Sequence, residues 1–95
     1  GHSHVPGIVL EGGDCKAIVA HDVRLELSPT KKALVDVGSV GQPRDGHPEA
    51  CYVLHEGSEV RFRRVSYDVE PAARKIEGLP VGGREMLGMR LRRGR

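Results

Sequence analysis

The longest run of alternating apolar and polar side chains extends from Lys16 to Leu27. One side of this run carries Val19, His21, Val23, Leu25 and Leu27, and the other side carries Asp22, Arg24 and Glu26. Alternation with a period of two is typical of a β-strand that has one buried and one solvated face. The segment is therefore predicted to form a single strand.

Four shorter apolar segments are also predicted to be strands: residues 7–11, 33–38, 50–55 and 59–66. Glu11-Gly12-Gly13-Asp14 and Glu56-Gly57-Ser58 have the composition of tight hairpin turns. Short turns of this kind favour antiparallel neighbours. We expect the five strands to form one mainly antiparallel β-meander sheet.

Two helices are predicted after the strands. The first covers about residues 69–77, with Asp68 as its N-cap and Glu70 and Pro71 in its first turn. Gly78 and Pro80 are expected to end it. The second covers residues 84–93 and is weaker, because Gly88 interrupts it. The predicted class is α+β.

Composition limits the size of the core. The 95 residues include one Phe, two Tyr and no Trp, so the core must be aliphatic and the chain holds one domain at most. Residues 1–60 carry 5 basic and 9 acidic side chains, whereas residues 61–95 carry 10 basic and 4 acidic ones. The basic side chains of the second part are dispersed and lack interleaved aromatics. A solvated surface is therefore favoured over a nucleic-acid partner.

The cellular setting is inferred from cysteine use and hydropathy. Cys15 and Cys51 lie too far apart in sequence for a metal-type spacing, so free thiols in a reducing cytoplasm are expected. No apolar run approaches the ~20 residues that span a membrane, and no membrane partner is predicted. The chain opens on Gly-His-Ser-His without Met, which suggests that it begins inside a longer protein or with an expression remnant.

The stretch from Leu34 to Leu54 has the pattern of a strand, an ordered loop and a second strand. Gly38, Gly41 and Gly46 permit positive φ, and prolines stiffen the path between them. A long but constrained loop is typical of a functional site. The alternative is a structural crossover between paired strands.

His2 and His4 form a His-x-His pair. In an extended segment their side chains point the same way, roughly 6.5 Å apart, so each can reach one metal of a pair about 3.5–4 Å apart. The alternative is a tag remnant or a disordered end. We predict that this pair and the loop form two walls of one pocket. Surface or strand-face roles are favoured for His21, His47 and His55.

Two motifs stand in a specific order: Gly1-His2-Ser3-His4-Val5-Pro6, and then Val-x-x-Gly-Ser-Val-Gly-Gln-Pro-Arg-Asp-Gly over residues 35–46. This order resembles the C-terminal third of calcineurin-like metallophosphoesterases of the bacterial type, most strongly over residues 1–6 and 34–76. The family has Gly-His-Thr-His and Asn-Pro-Gly-Ser at these places. Ser3 replaces the Thr, and Asp36-Val37 replaces Asn-Pro.

The resemblance implies that residues 1–95 are the C-terminal portion of a metallophosphoesterase domain with a four-layer α/β/β/α sandwich fold. The family's earlier metal motifs (Asp-x-His, Gly-Asp and Asn-His) are absent. It implies hydrolysis of phosphate mono- or diesters by water activated between two divalent cations (Mn, Fe, Zn or Ni). His2 and His4 would be metal ligands, and Gly38, Ser39 and Arg44 would form the pocket rim.

With only two matched ligands, the chain by itself is expected to be inactive. Two alternatives remain open. Arg44 can instead form an ion pair with Asp45 or Glu49. The chain can also be a non-catalytic β-meander module that forms a homodimer to cover an open sheet face.

Overall fold

The computed structural model describes all of residues 1–95 and contains six strands and two helices. The strands are β1 (Gly7–Leu10), β2 (Cys15–Ala17), β3 (Asp22–Glu26), β4 (Ala33–Asp36), β5 (Ala50–Glu56) and β6 (Glu59–Val65). The helices are α1 (Glu70–Glu77) and α2 (Arg84–Arg93). All strand pairs are antiparallel, so the predicted α+β class is confirmed.

The strands form two sheets of three, in the orders β2–β1–β4 and β3–β6–β5. The prediction of one sheet was wrong, and so was the prediction of one strand over Lys16–Leu27. That segment leaves the first sheet after Ala17 and enters the second at Asp22. The crossing is held by a bond from the Ile18 amide to the Pro6 carbonyl (3.0 Å) and by one from the Arg64 amide to the His21 carbonyl (2.9 Å). Tertiary contacts therefore override the local alternation.

The core lies between the inward faces of the two sheets. Ile8, Ile18, Val60 and Phe62 are buried there, with a ring of half-buried aliphatic side chains around them. This core is entirely aliphatic apart from Phe62, which is fully buried. Val19 and His21, predicted to face inward, are exposed because they lie in the crossing.

The two helices pack on each other. Arg92 donates to the carboxylates of both Glu70 and Glu77, which joins α2 to α1. Gly88 is buried against Glu77, where an added Cβ would overlap the Glu77 side chain. Neither helix has the length and apolarity needed to cross a bilayer.

The start of α1 differs from the prediction by one residue. Val69 occupies the N-cap position, and no side chain makes the usual N-cap bond. The Asp68 carboxylate instead accepts from the Glu70 amide at 3.1 Å. The aspartate still satisfies a free amide of the first turn, as its chemistry predicts.

The molecule is extended and has an open surface. Its radius of gyration is 15.4 Å, against about 12.4 Å expected for a compact chain of this length. Its accessible surface is 6290 Å², against about 5,350 Å² expected from its mass.

One sheet face leaves apolar side chains open to solvent. We call it the apolar face: the outward side of the β2–β1–β4 sheet, formed by Gly7, Val9, Cys15, Ala17, Leu34 and Asp36. Val9 is 40% exposed and Leu34 is 72% exposed. With Ser3, Val5 and neighbouring residues, this side lines a shallow hollow of about 300 Å³.

Candidate functional site

The N-terminal residues lie against the central loop (residues 37–49) and the end of β4. The amide and hydroxyl of Ser3 donate to Asp36 Oδ2 at 3.0 and 2.6 Å. The Arg44 amide donates to the His4 carbonyl at 3.3 Å. The structure therefore brings the His-x-His segment and the loop together.

His4 has an unusual backbone and a fixed ring. Its φ of 62° is the only positive value at a residue other than glycine. Its Nδ1 lies 2.7 Å from the Gln42 carbonyl oxygen. Because a carbonyl can only accept, Nδ1 carries the proton and Nε2 is left as the free lone pair. This is the arrangement of a metal-ligating histidine with its supporting acceptor.

The predicted geometry of the histidine pair was wrong. The alternation that places two side chains on one side requires an extended backbone, and the left-handed conformation of His4 breaks it. His2 is exposed and has no hydrogen-bond partner, whereas the His4 ring is partly buried against the loop. The two rings lie in different surroundings, and their roles as ligands stay predictions.

Asp36 joins the N-terminal segment to the loop. Its second oxygen, Oδ1, accepts from the Gly38 amide at 3.0 Å and lies 3.4 Å from the terminal amino group of Gly1. Partial burial raises the pKa of this carboxyl, but the bonds from the Ser3 hydroxyl, the Gly38 amide and the Ser3 amide outweigh it. The pKa of Asp36 is consequently held well below its ordinary value.

Gly38 fits where no other residue would. Its φ is 78°, and an added Cβ would lie 3.0 Å from Cys51 Cβ and 3.2 Å from Pro6 Cβ. Its amide is already bonded to Asp36. Gly38 thus allows the chain to turn over Cys51, and burial raises the pKa of the Cys51 thiol beneath it.

The next loop residues leave donors free. The Ser39 hydroxyl accepts from the Gln42 amide at 2.9 Å, and its carbonyl accepts from the Cys51 amide at 2.9 Å. The amides of Ser39, Val40 and Gly41 donate to no protein acceptor. Amides without a protein acceptor are donors that suit an anion.

Arg44 is exposed and pairs with no carboxylate. Its Nη2 donates to Gln42 Oε1 at 3.1 Å. The alternative interpretation, an ion pair with Asp45 or Glu49, was wrong, because Asp45 is bonded to Arg64 and Glu49 lies 3.7 Å from His21 Nε2. The Arg44 guanidinium is therefore available to a ligand.

Arg64 is an important residue that the sequence interpretation missed. Its side chain is 1% exposed, and it donates to Asp45 and, at 2.8 Å, to the Ile18 carbonyl. The signal was available in the alternation of β6, where Arg64 occupies the same inward side as Val60 and Phe62. A charge at an inward position requires a buried partner.

The residues present account for only part of a metal centre. No group of three or more His, Cys, Asp or Glu side chains lies close enough to hold a metal ion. Both cysteines are free thiols, Cys15 exposed and Cys51 buried. His4 fits a ligand role by its bonded Nδ1 and free Nε2, and His2 fits one only in chemistry and exposure.

Comparison with known proteins yields one similar sequence. The chain is 39% identical, over 99 aligned positions, to the uncharacterized protein MJ0912 of Methanocaldococcus jannaschii. The alignment covers all of this chain but 38% of that protein's length. No protein-family model and no solved structure matches the chain.

Proposed function

We propose that this chain is the C-terminal portion of a calcineurin-like metal-dependent phosphoesterase that hydrolyses phosphate mono- or diesters. His4 carries the proposal: a strained backbone presents an imidazole whose Nδ1 is bonded to Gln42 and whose Nε2 is free. Backbone strain that persists outside glycine is concentrated at functional sites. In this proposal the two sheets belong to the family's four-layer α/β/β/α sandwich.

His2 and His4 would each bind one of two divalent cations (Mn, Fe, Zn or Ni). The cations would clamp the phosphate and lower the pKa of a water molecule bound between them. His2 would reach its cation from an exposed segment, while the contact with Gln42 fixes the tautomer and ring of His4. The remaining ligands would come from outside these 95 residues.

The central loop would hold the phosphate group. Arg44 has no carboxylate partner and offers a planar fork of donors that matches phosphate oxygens. The free amides of Ser39 to Gly41 lie three to five residues before it and suit the same charge. Gly38 and Ser39 would then shape the rim, since the bonds they make within the loop fix its path.

A chromogenic phosphodiester assay with Mn²⁺ tests the proposal. Residues 1–95 alone are expected to show negligible turnover, and a protein that carries the family's upstream motifs is expected to show clear turnover. In that longer protein, His2→Ala and His4→Ala should each lower kcat/KM by roughly 100-fold or more, because each removes a metal ligand.

His55→Ala is the matched control. The His55 ring also bonds a backbone carbonyl, that of Gly57 at 2.8 Å, but this bond stays within the β5–β6 hairpin and His55 makes no hydrogen bond to the histidine segment or to the loop. Its replacement should leave turnover unchanged. Robust hydrolysis by residues 1–95, or indifference to both His2→Ala and His4→Ala, would contradict the proposal.

A second candidate function is a non-catalytic module that self-associates. The observation that favours it is the apolar face, where Leu34 is 72% exposed. A second copy could cover this surface in a homodimer. Its test is the effect of a charge on that face, described below.

A further inference from the structure

We propose that the buried ion pair of Arg64 and Asp45 positions His4 by holding the central loop at the place where it contacts that residue. The inference rests on the proposed function only in treating His4 as a ligand. The positioning itself is a property of the metal-free chain and can be measured there.

The pair is anchored firmly at the sheet. The Arg64 side chain is 1% exposed and that of Asp45 is 10% exposed. Arg64 Nη2 bonds both Asp45 and the Ile18 carbonyl, whereas its Nε and Nη1 are buried without partners. Asp45 is therefore the only carboxylate that balances this buried charge, and the loop cannot leave without exposing or isolating it.

The loop residues just before Asp45 carry the contacts to His4. The Arg44 amide donates to the His4 carbonyl, and the Gln42 carbonyl accepts from His4 Nδ1. Because Arg44 and Gln42 lie one and three residues before Asp45, holding Asp45 in place also holds the two backbone groups that bond His4. A left-handed backbone is unfavourable at a residue that has a Cβ, so outside contacts of this kind must hold His4 in it.

Other contacts of Asp45 support the same role. Its Oδ1 accepts from the His47 amide at 3.4 Å, and the Gly46 amide donates to the Gly94 carbonyl at 2.7 Å. The loop is thus held from the sheet by Arg64 and from the end of α2 by Gly94. The segment between Gln42 and Asp45 has little freedom to move away from His4.

The experiment uses residues 1–95 without metal and compares wild type with Asp45→Asn and Arg64→Lys. Nitrogen-15 NMR of the His4 ring reports which nitrogen carries the proton, and hydrogen exchange reports the Arg44 amide. Each variant should raise the exchange rate of that amide by roughly tenfold. The His4 ring should change from the Nδ1-protonated form to a mixture of tautomers.

The matched control is Asp22→Asn. It removes the carboxylate bound by Arg61, which lies on the same strand as Arg64 but on its solvated side. This control should leave the His4 tautomer unchanged and the Arg44 exchange rate within about twofold of wild type. The amide of Phe62, in the core, reports global opening.

Two results would overturn the inference. One is an unchanged His4 tautomer in both Asp45→Asn and Arg64→Lys. The other is Arg44 exchange that rises only in step with Phe62 exchange, which would make the pair a general stabilising contact. A failure of the proposed function would appear differently, as inactivity of the longer protein with these NMR results intact.

Discussion

The outward sides of the two sheets contrast sharply, although their inward sides share one aliphatic core. The β3–β6–β5 sheet turns a charged face to solvent that includes Asp22, Arg24, Arg61 and Arg63. Arg61 is bonded there to Asp22 through two nitrogens, at 2.8 and 2.7 Å. The β2–β1–β4 sheet presents the apolar face, with Leu34 and Val9 open to water.

The contrast shows that the outward side of the β3–β6–β5 sheet is suited to water, whereas that of the β2–β1–β4 sheet is not. The charged face carries the Arg61–Asp22 ion pair at its surface, as expected of a sheet side that faces water. On the apolar face, Ser3 bonds Asp36, whereas Leu34 and Val9 remain exposed with no segment of this chain covering them. Exposed apolar patches are typical of interaction surfaces, and the self-association proposed above would cover this one.

The largest expected effect tests the core that both sheets share. Phe62→Ala should lower the free energy of unfolding by about 3–5 kcal/mol, since Phe62 is fully buried between the sheets. Denaturant unfolding followed by circular dichroism measures the change. Leu54→Ala on the charged face is the control and should change stability by no more than about 0.5 kcal/mol. Equal effects would mean that the sheets do not share this core.

The two cysteines report on the two environments directly. Cys15 lies exposed on the apolar face, whereas Cys51 is buried and its thiol pKa is raised. At pH 8 a thiol reagent should label Cys15 roughly 100-fold faster than Cys51. Cys15→Ser and Cys51→Ser assign the two phases of the reaction. Similar labelling rates would show that Cys51 is not protected.

The apolar face itself is tested by adding a charge. Leu34→Lys should weaken self-association by roughly tenfold or more, because a buried lysine would lack a partner in the interface. Leu54→Lys, at a residue of the charged face that is 50% exposed, should not weaken it. Sedimentation of both variants across a concentration series measures the difference. A wild-type chain that stays a compact monomer at high concentration would contradict self-association through the apolar face.

The smallest expected effect is a difference in how salt changes the pKa values of two aspartates, both of which are lowered. The bond from Arg61 lowers the pKa of Asp22 to about 2, whereas at Asp36 bonds from neutral donors are the main cause that outweighs burial, with a smaller contribution from the Gly1 amino group. Salt screens the charged pair more than the neutral bonds. NMR titration in ~1 M salt should therefore raise the Asp22 pKa by about half a unit, and the Asp36 pKa by less.

Both aspartates make the free energy of unfolding depend on pH in the same direction. Their folded pKa values lie below the unfolded value of about 3.9. The stabilisation they give is therefore present above that pH and is lost as the pH falls toward the folded values. Asp36→Asn should remove its share of this acid dependence. Equal salt responses of Asp22 and Asp36 would mean that the causes have been assigned wrongly.

Much of the fold followed from short-range chemistry in the sequence. Glycine-rich turns predicted both hairpins, and the first-turn acid with last-turn bases predicted α1. The bounds of α2 were also confirmed, at Arg84 and Arg93. These features depend on residues within a few positions of each other, which a sequence displays directly.

The errors came from contacts between distant residues. The split of Lys16–Leu27 depends on Pro6 and Arg64, which lie 12 and 46 residues from Ile18. The turned backbone of His4 is accompanied by contacts to the loop near Gln42, so the extended pair assumed from local spacing did not form. The contact between the histidine segment and the loop was anticipated, but the Arg64–Asp45 pair near it was not.

The left-handed backbone of His4 implies a conflict between two kinds of selection. Asparagine or glycine would relax this position, so a library of variants screened for thermal resistance alone should become enriched in those residues. A library screened for the proposed metal binding by the imidazole should retain histidine, although its variants would have a lower melting temperature. The residue recovered at this one position would therefore reveal which property natural selection has favoured.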